Sequence, residues 1–324
     1  MVTKKSLVSM GALFLITVSA AVFALSGCGD TKNDAGEVLS DESGDLRMGE
    51  SSEDISEGED LISSEDTGNT GGDTLTFRDV RGKEHRMVID GSVPSNPYDS
   101  SLFEKSGDKM SYNDPSQKTM LGIDVSRHQG DIDWEAVADD GYEFAFIRIA
   151  YRGYGDTGSL NEDETALKNL KEAKANGIKC GVYIFSQAVN TDEALEEADF
   201  VLDILDGMEL EMPVVYDPES ILDDEGEKIP EARTSTVTKE EFTAETIAFC
   251  DRIKEAGYEP MVYANMLWEA YELDMSSLTQ YPFWYADYED SPQSPYAFTC
   301  WQYTNEGKVN GVSGACDINI RMVD

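Results

Sequence analysis

Asp217 and Glu219 stand two residues apart at the end of a short apolar run, Met212-Pro213-Val214-Val215-Tyr216. Successive side chains of a strand point to opposite faces, so acids at i and i+2 emerge on the same side where the strand runs out. Two carboxyls at one mouth suit acid/base work on a glycosidic bond. One must be protonated to push the leaving oxygen, and the other charged to act as base, nucleophile or electrostatic support. Taken alone, the same pair also fits a helix N-cap followed by a solvated loop acid.

The segments around this pair alternate in character from residue 120 onward. Strand patterns fall at 121–125, 144–150, 179–185, 213–216, 260–264, 283–286 and 299–303, with amphipathic helical patterns at 163–176, 191–205 and 239–256. Strand then helix, repeated, implies parallel strands covered by helices, and this many strands in so short a span favours a closed barrel over an open sheet. The late strands leave little room for helices between them. In such a barrel the functional groups gather at the carboxyl ends of the strands. Those ends carry Asp124 and Ser126, Tyr151, Phe185, Asp217 and Glu219, Asn265, Asp287 and Tyr288, then Gln302 and Tyr303. Acids and aromatics dominate, a combination suited to sugars: aromatic faces stack on pyranose rings while carboxylates and amides take the hydroxyls.

Upstream, residues 1–28 read as an export signal. Lys4 and Lys5 precede an apolar run at 13–25, which ends in Leu25-Ser26-Gly27-Cys28. The tetrapeptide resembles a lipobox, so Cys28 is the expected lipid attachment site and the rest of the chain is expected outside the cytoplasm, anchored to the outer face of the membrane. Residues 29–73 are mostly Asp, Glu, Ser and Gly, a composition that cannot bury enough apolar surface to fold and reads as a disordered acidic tether. Residues 74–119 read as a small hairpin with its turn at Gly82 and an irregular lead-in, and 120–324 as the barrel domain.

With 65 acidic against 25 basic residues, the formal net charge of -40 argues against nucleic acid and against anionic polymers held by charge alone. Apart from Cys28, four cysteines remain: Cys180, Cys250, Cys300 and Cys316. Their pairing is open, with Cys300 and Cys316, which flank a turn-rich stretch, the best-placed pair. Two histidines, His85 and His128, and no Cys-x-x-Cys leave too few ligands for an ordinary zinc site, and no cofactor or metal is expected.

The first strand runs into Gly122-Ile-Asp-Val-Ser-Arg-His-Gln-Gly130, followed by Ile132-Asp133-Trp134. Together with Asp217-Pro218-Glu219, Trp284-Tyr-Ala-Asp-Tyr288, Trp301-Gln302-Tyr303 and the closing Gly311-Val-Ser-Gly-Ala-Cys-Asp-Ile-Asn319, this strongly resembles the family 25 glycoside hydrolases, the Chalaropsis-type muramidases. The resemblance implies a TIM-like (β/α)5(β)3 barrel that cuts the β-1,4 bond between N-acetylmuramic acid and N-acetylglucosamine in peptidoglycan, acting as a monomer on glycan strands. By the same resemblance Glu219 is the general acid and Asp217 orients the acetamido group or stabilises developing charge. Asp124 and Asp317 complete the acidic set. Tyr183, Trp284, Tyr288 and Gln302 are the expected substrate contacts, and His128 is expected to be structural. Proximity to Asp217 and partial burial are expected to keep Glu219 protonated near neutral pH while Asp217 stays ionised. A polar stretch at 220–238 offers a lid or extra rim. Two other readings remain: a wall-glycan binding protein that does not cut, and a chitinase-like glycosidase, for which the strand before Glu219 lacks the expected Asp-rich signature.

Overall fold

The structure, a computed structural model, describes residues 72–155, 157–223 and 228–323. The export signal, Cys28 and nearly all of the acidic tether lie outside the described residues.

Two antiparallel hairpins open the described chain. Strands β1 (Thr74–Arg78) and β2 (Glu84–Val88) turn through Gly82, whose φ of 79° is the left-handed conformation the turn requires. The stretch expected to be irregular contains a second hairpin, β3 (Phe103–Ser106) with β4 (Lys109–Tyr112).

The rest builds a closed sheet. Strand β5 (Lys118–Val125) is followed by helix α1 (Trp134–Asp139), β6 (Phe144–Arg152), the short β7 (Leu160–Glu162) and α2 (Ala166–Ala175). Then come β8 (Lys179–Ser186), α3 (Thr191–Leu205), β9 (Val214–Pro218), α4 (Lys239–Glu255), β10 (Pro260–Asn265), β11 (Phe283–Ala286), β12 (Cys300–Gly307) and β13 (Cys316–Val323). Eight of these strands close into a barrel in the order β5, β6, β8, β9, β10, β11, β12, β13, with β7 an added strand on β6. Neighbours are parallel from β5 to β12, while β13 is antiparallel to both β12 and β5. The architecture is therefore mixed α/β around one closed sheet. After β10 the connection is a five-residue π-helical turn, Trp268–Glu272.

Strand periodicity of two divides each barrel strand between two cores. On β6, Ala145, Ile147 and Ile149 pack outward under α2 with Ala166, Leu170 and Ala173, while Phe144 and Phe146 fill the barrel interior with Val215, Met261, Trp284 and Cys300. Burial on both faces explains why β6 reads as a continuous apolar run. Two glycines make room for the interior aromatics. A Cβ at Gly122 would lie 2.5 Å from the Phe144 ring, and one at Gly181 would lie 2.6 Å from the Pro213 carbonyl oxygen and 2.8 Å from Phe146.

All four described cysteines are buried free thiols. The expected Cys300–Cys316 bond fails on register. In the antiparallel β12–β13 pair, Cys300 faces Arg321 and Cys316 faces Gly307, which puts the two cysteines at opposite ends of the ladder. Seven residues of strand separate those ends by roughly 20 Å, against the roughly 7 Å limit between Cα atoms that a disulfide can span.

Candidate active site

The inward-facing series of the strands converge on one cavity of about 280 Å³, at the carboxyl ends of the parallel strands and the amino end of antiparallel β13. On β5 the series Met120, Gly122, Asp124 ends in an acid, and on β9 Val215 leads to Asp217 and Glu219. Strand β8 supplies Tyr183 and Phe185, β10 Tyr263, β11 Trp284 with Tyr288 just beyond it, β12 Gln302, and β13 Asp317. All four expected catalytic acids and all four expected substrate contacts line this one space.

Asp124 is 4% exposed and is held by two amides. Its Oδ2 accepts from Asn319 Nδ2 at 2.8 Å and from Gln302 Nε2 at 3.0 Å. Each amide is oriented in turn. Trp284 Nε1 donates to Asn319 Oδ1 at 2.7 Å, while the hydroxyls of Tyr288 and Tyr263 donate to Gln302 Oε1 at 3.0 and 3.2 Å. Such a chain fixes amide orientation and leaves no rotamer freedom at the carboxylate. Asp317 is the backbone neighbour of Asp124 across the β5–β13 ladder. Gln302 thus acts on Asp124 as well as facing the cavity, and Trp284 is a floor residue, packed against Phe146, Tyr183 and Tyr263.

Asp217 is 5% exposed, and its Oδ1 has no hydrogen-bond partner among the described residues. Burial, then the negative charges of Glu219 and Asp124, push its carboxyl well above the usual range, opposed by Arg148. Glu219, by contrast, is only half-buried. Burial thus acts against the expected ionised form of Asp217, the deeper of the two carboxyls. Burial also raises the phenols of Tyr183, Tyr263 and Tyr288, which stay neutral donors.

Residues 123–312 match the sequence pattern of Glycosyl hydrolases family 25. The chain belongs to this family. It is 28% identical over 202 residues to the autolytic lysozyme of Clostridium acetobutylicum, covering 62% of this chain and 55% of that protein. It is also 28% identical over 211 residues to lysozyme M1 of Streptomyces globisporus, covering 61% of this chain and 66% of the relative. The chain thus spans only part of the length of these relatives. A family 25 glycosyl hydrolase from Bacillus anthracis shares the fold, with a TM-score of 0.53 at 22% identity over 68% of this chain and 96% of that one.

Within this family 25 barrel, period two also explains which strand-end residues stay out of the cavity. Asp287 follows outward-facing Tyr285; it accepts the Tyr285 hydroxyl at 2.7 Å and the Gln293 backbone N–H at 2.9 Å. Gln293 then clamps the first hairpin, accepting from the Arg78 N–H at 2.9 Å and donating to the Arg78 carbonyl at 2.8 Å. Tyr303, outward beside Gln302, donates to the Asp108 carbonyl at 2.9 Å and accepts from the Met110 N–H at 3.1 Å, fastening the second hairpin. Asn265 caps the turn after β10, accepting from the backbone N–H groups of Leu267 and Trp268. His128 sits in a one-turn 3-10 segment capped by Ser126, a structural place.

Arg148 and Gln187 escaped the sequence reading, as did Tyr263, which lines the cavity from β10. Arg148 lines the cavity from β6, and Gln187 donates through Nε2 to the Glu219 carbonyl at 2.5 Å, steadied by Thr234 Oγ1 on its Oε1 at 3.2 Å. A single Arg inside the apolar run of β6 was the available signal for the first; nothing in the local sequence marks the second. The described parts of 220–238 are bridged to the first hairpin, where the Arg81 guanidinium donates to the Asp223 carbonyl at 3.1 Å.

Proposed function

We propose that this protein hydrolyses the β-1,4 bond between N-acetylmuramic acid and N-acetylglucosamine in peptidoglycan, on a barrel of the (β/α)5(β)3 kind. The observation that carries the reading is the convergence of Asp124, Asp217, Glu219 and Asp317 with Tyr183, Tyr263 and Tyr288 on one cavity. Family membership and the lysozyme relatives support it.

Glu219, at the more open edge, is the proton donor to the leaving oxygen. Asp217 lies deeper and faces the same space, suited to hold the acetamido group or the positive charge that develops at the sugar. Asp217 and Glu219 share a site in which like charges resist double ionisation, so the pair carries one proton over a wide pH range. Burial draws that proton toward Asp217. A seated glycan strand removes water from Glu219 and places an acetamide N–H beside Asp217, which moves the proton to the position from which it can be donated. Asp124, fixed by Asn319 and Gln302, orients the sugar from the opposite wall.

Incubation of the chain with purified peptidoglycan, followed by identification of the new reducing end, tests this. Muramic acid at the reducing end is expected. Release of none would leave a glycan-binding protein, and activity confined to chitin oligomers would indicate a chitinase-like glycosidase.

We further propose that Cys28 carries a lipid and holds the enzyme on the outer face of the membrane, since a lipobox-like tetrapeptide closes the apolar run and an acidic stretch follows it. Cys28→Ala should move the protein from the membrane fraction to the medium or leave an unprocessed precursor. An unchanged mature mass with unchanged membrane retention would remove the claim.

A further inference from the structure

Arg148 is the only cationic side chain among the described residues lining a cavity that holds four acids. It continues the inward series of β6 after Phe144 and Phe146, and its side chain is 7% exposed. Immediately beyond it the ladder with β8 slips by one residue, between Arg148 and Ala150. A bulge of this sort re-aims side chains next to a site. The guanidinium is fixed from behind. Its Nε donates to Asp163 Oδ2 at 3.0 Å, and Asp163 is fully buried and also accepts from the backbone N–H groups of Arg127 at 3.0 Å and Thr165 at 3.1 Å. The Tyr151 ring lies 5.3 Å from the guanidinium carbon and covers it further. A buried charge fixed by a dedicated partner is expensive to maintain and is retained where its field is used.

We propose that Arg148 is a positioning residue for the family 25 reaction: its fixed positive charge holds Asp217 in the carboxylate form that the loaded site requires. The groups facing Asp217 are Asp124 from β5, Arg148 from β6, Tyr183 from β8, Glu219 from its own strand, Tyr263 from β10, Tyr288 beyond β11 and Asp317 from β13. Three are acids and three are neutral phenols. Only Arg148 opposes the protonation that burial and the neighbouring acids impose. The inference rests on the proposed muramidase reaction and assigns a role within it.

The test is the pH dependence of kcat/KM on peptidoglycan for the wild type, Arg148→Gln and Arg148→Lys. If ionised Asp217 sets the acid limb, removing the cation makes its carboxyl harder to ionise and moves that limb to higher pH. An opposite charge facing a carboxyl typically lowers its pKa by about 1 to 3 units, so a limb shift of at least about 1 unit is expected in Arg148→Gln, equal to about a tenfold loss or more on the acid side. The alkaline side should change less, and Arg148→Lys should restore most of the limb. Should Arg148→Gln fail to fold because Asp163 is left buried without its partner, Arg148→Gln with Asp163→Asn removes both charges of the pair and should show the same shift. An equal loss at every pH with the limb in place, or a Lys variant no better than Gln, would overturn the inference. A wild type that releases no muramic acid ends at any pH would instead overturn the muramidase reading.

Discussion

Glu219→Gln should lower turnover on peptidoglycan by roughly two to four orders of magnitude, the range for loss of a general acid, while binding of glycan strands persists. The amide keeps the shape of the side chain but has no proton of suitable acidity to give. The variant's own pH profile carries the sharper signature. In the wild type the alkaline limb reports loss of the shared proton from the Asp217–Glu219 pair, and without Glu219 that limb should vanish. The main-chain anchor of this residue, the Gln187 amide on its carbonyl, is untouched by the substitution, so the site should keep its geometry. Steady-state turnover at saturating peptidoglycan, followed across pH, is the measurement. Retention of most of the activity would place the donor elsewhere, with Asp124 or Asp317 next to be replaced.

The acidic site was legible because strand periodicity makes position in sequence equivalent to position in space. Asp217 and Glu219 share a face for the same reason that Val215 and Asp217 do, and that face is the barrel interior. The same rule separates Gln302 from Tyr303 and Tyr288 from Asp287. A reading that stopped at the ends of the strands could not make that separation, because it lacked the parity of each strand. Strand β13 went unread as a strand although Ile318, Ile320 and Met322 alternate with Asp317, Asn319 and Arg321. Its inward residues are polar, with Asn319 holding Asp124, Asp317 lining the cavity and Arg321 against Met212, so the hydrophobic signal survives on one face only. Helix α1 was too short to show a period. The Cys300–Cys316 pairing looked plausible because a turn lay between the two residues, but whether a hairpin brings its flanking residues together depends on register. The burial that raises the Asp217 carboxyl depends on depth in the barrel, which only the assembled sheet sets.

That depth gives Asp217→Asn two opposite consequences. Turnover should fall by about two to three orders of magnitude, the cost typical of losing one charge-stabilising group from a site built around developing charge. Stability should rise where the carboxyl is ionised, because burial and the neighbouring acids oppose the charged form, which the amide cannot take. The pH dependence fixes the sign. A carboxyl whose folded-state pKa lies above its unfolded value binds more protons in the folded state, so its contribution to stability is fully present below the unfolded pKa and is lost as pH rises through the folded one. Asn has no such titration. Thermal unfolding of the two proteins should therefore nearly coincide near pH 4 and diverge as pH rises, with the variant the more stable on the alkaline side by about 1.4 kcal/mol for each unit by which the folded carboxyl lies above its unfolded value. A variant that unfolds earlier than the wild type at pH 8 would mean that the ionised Asp217 carboxylate is stabilised in place. If it unfolds later and turns over slowly, the barrel is carrying a destabilising carboxylate at the one position where the reaction uses it.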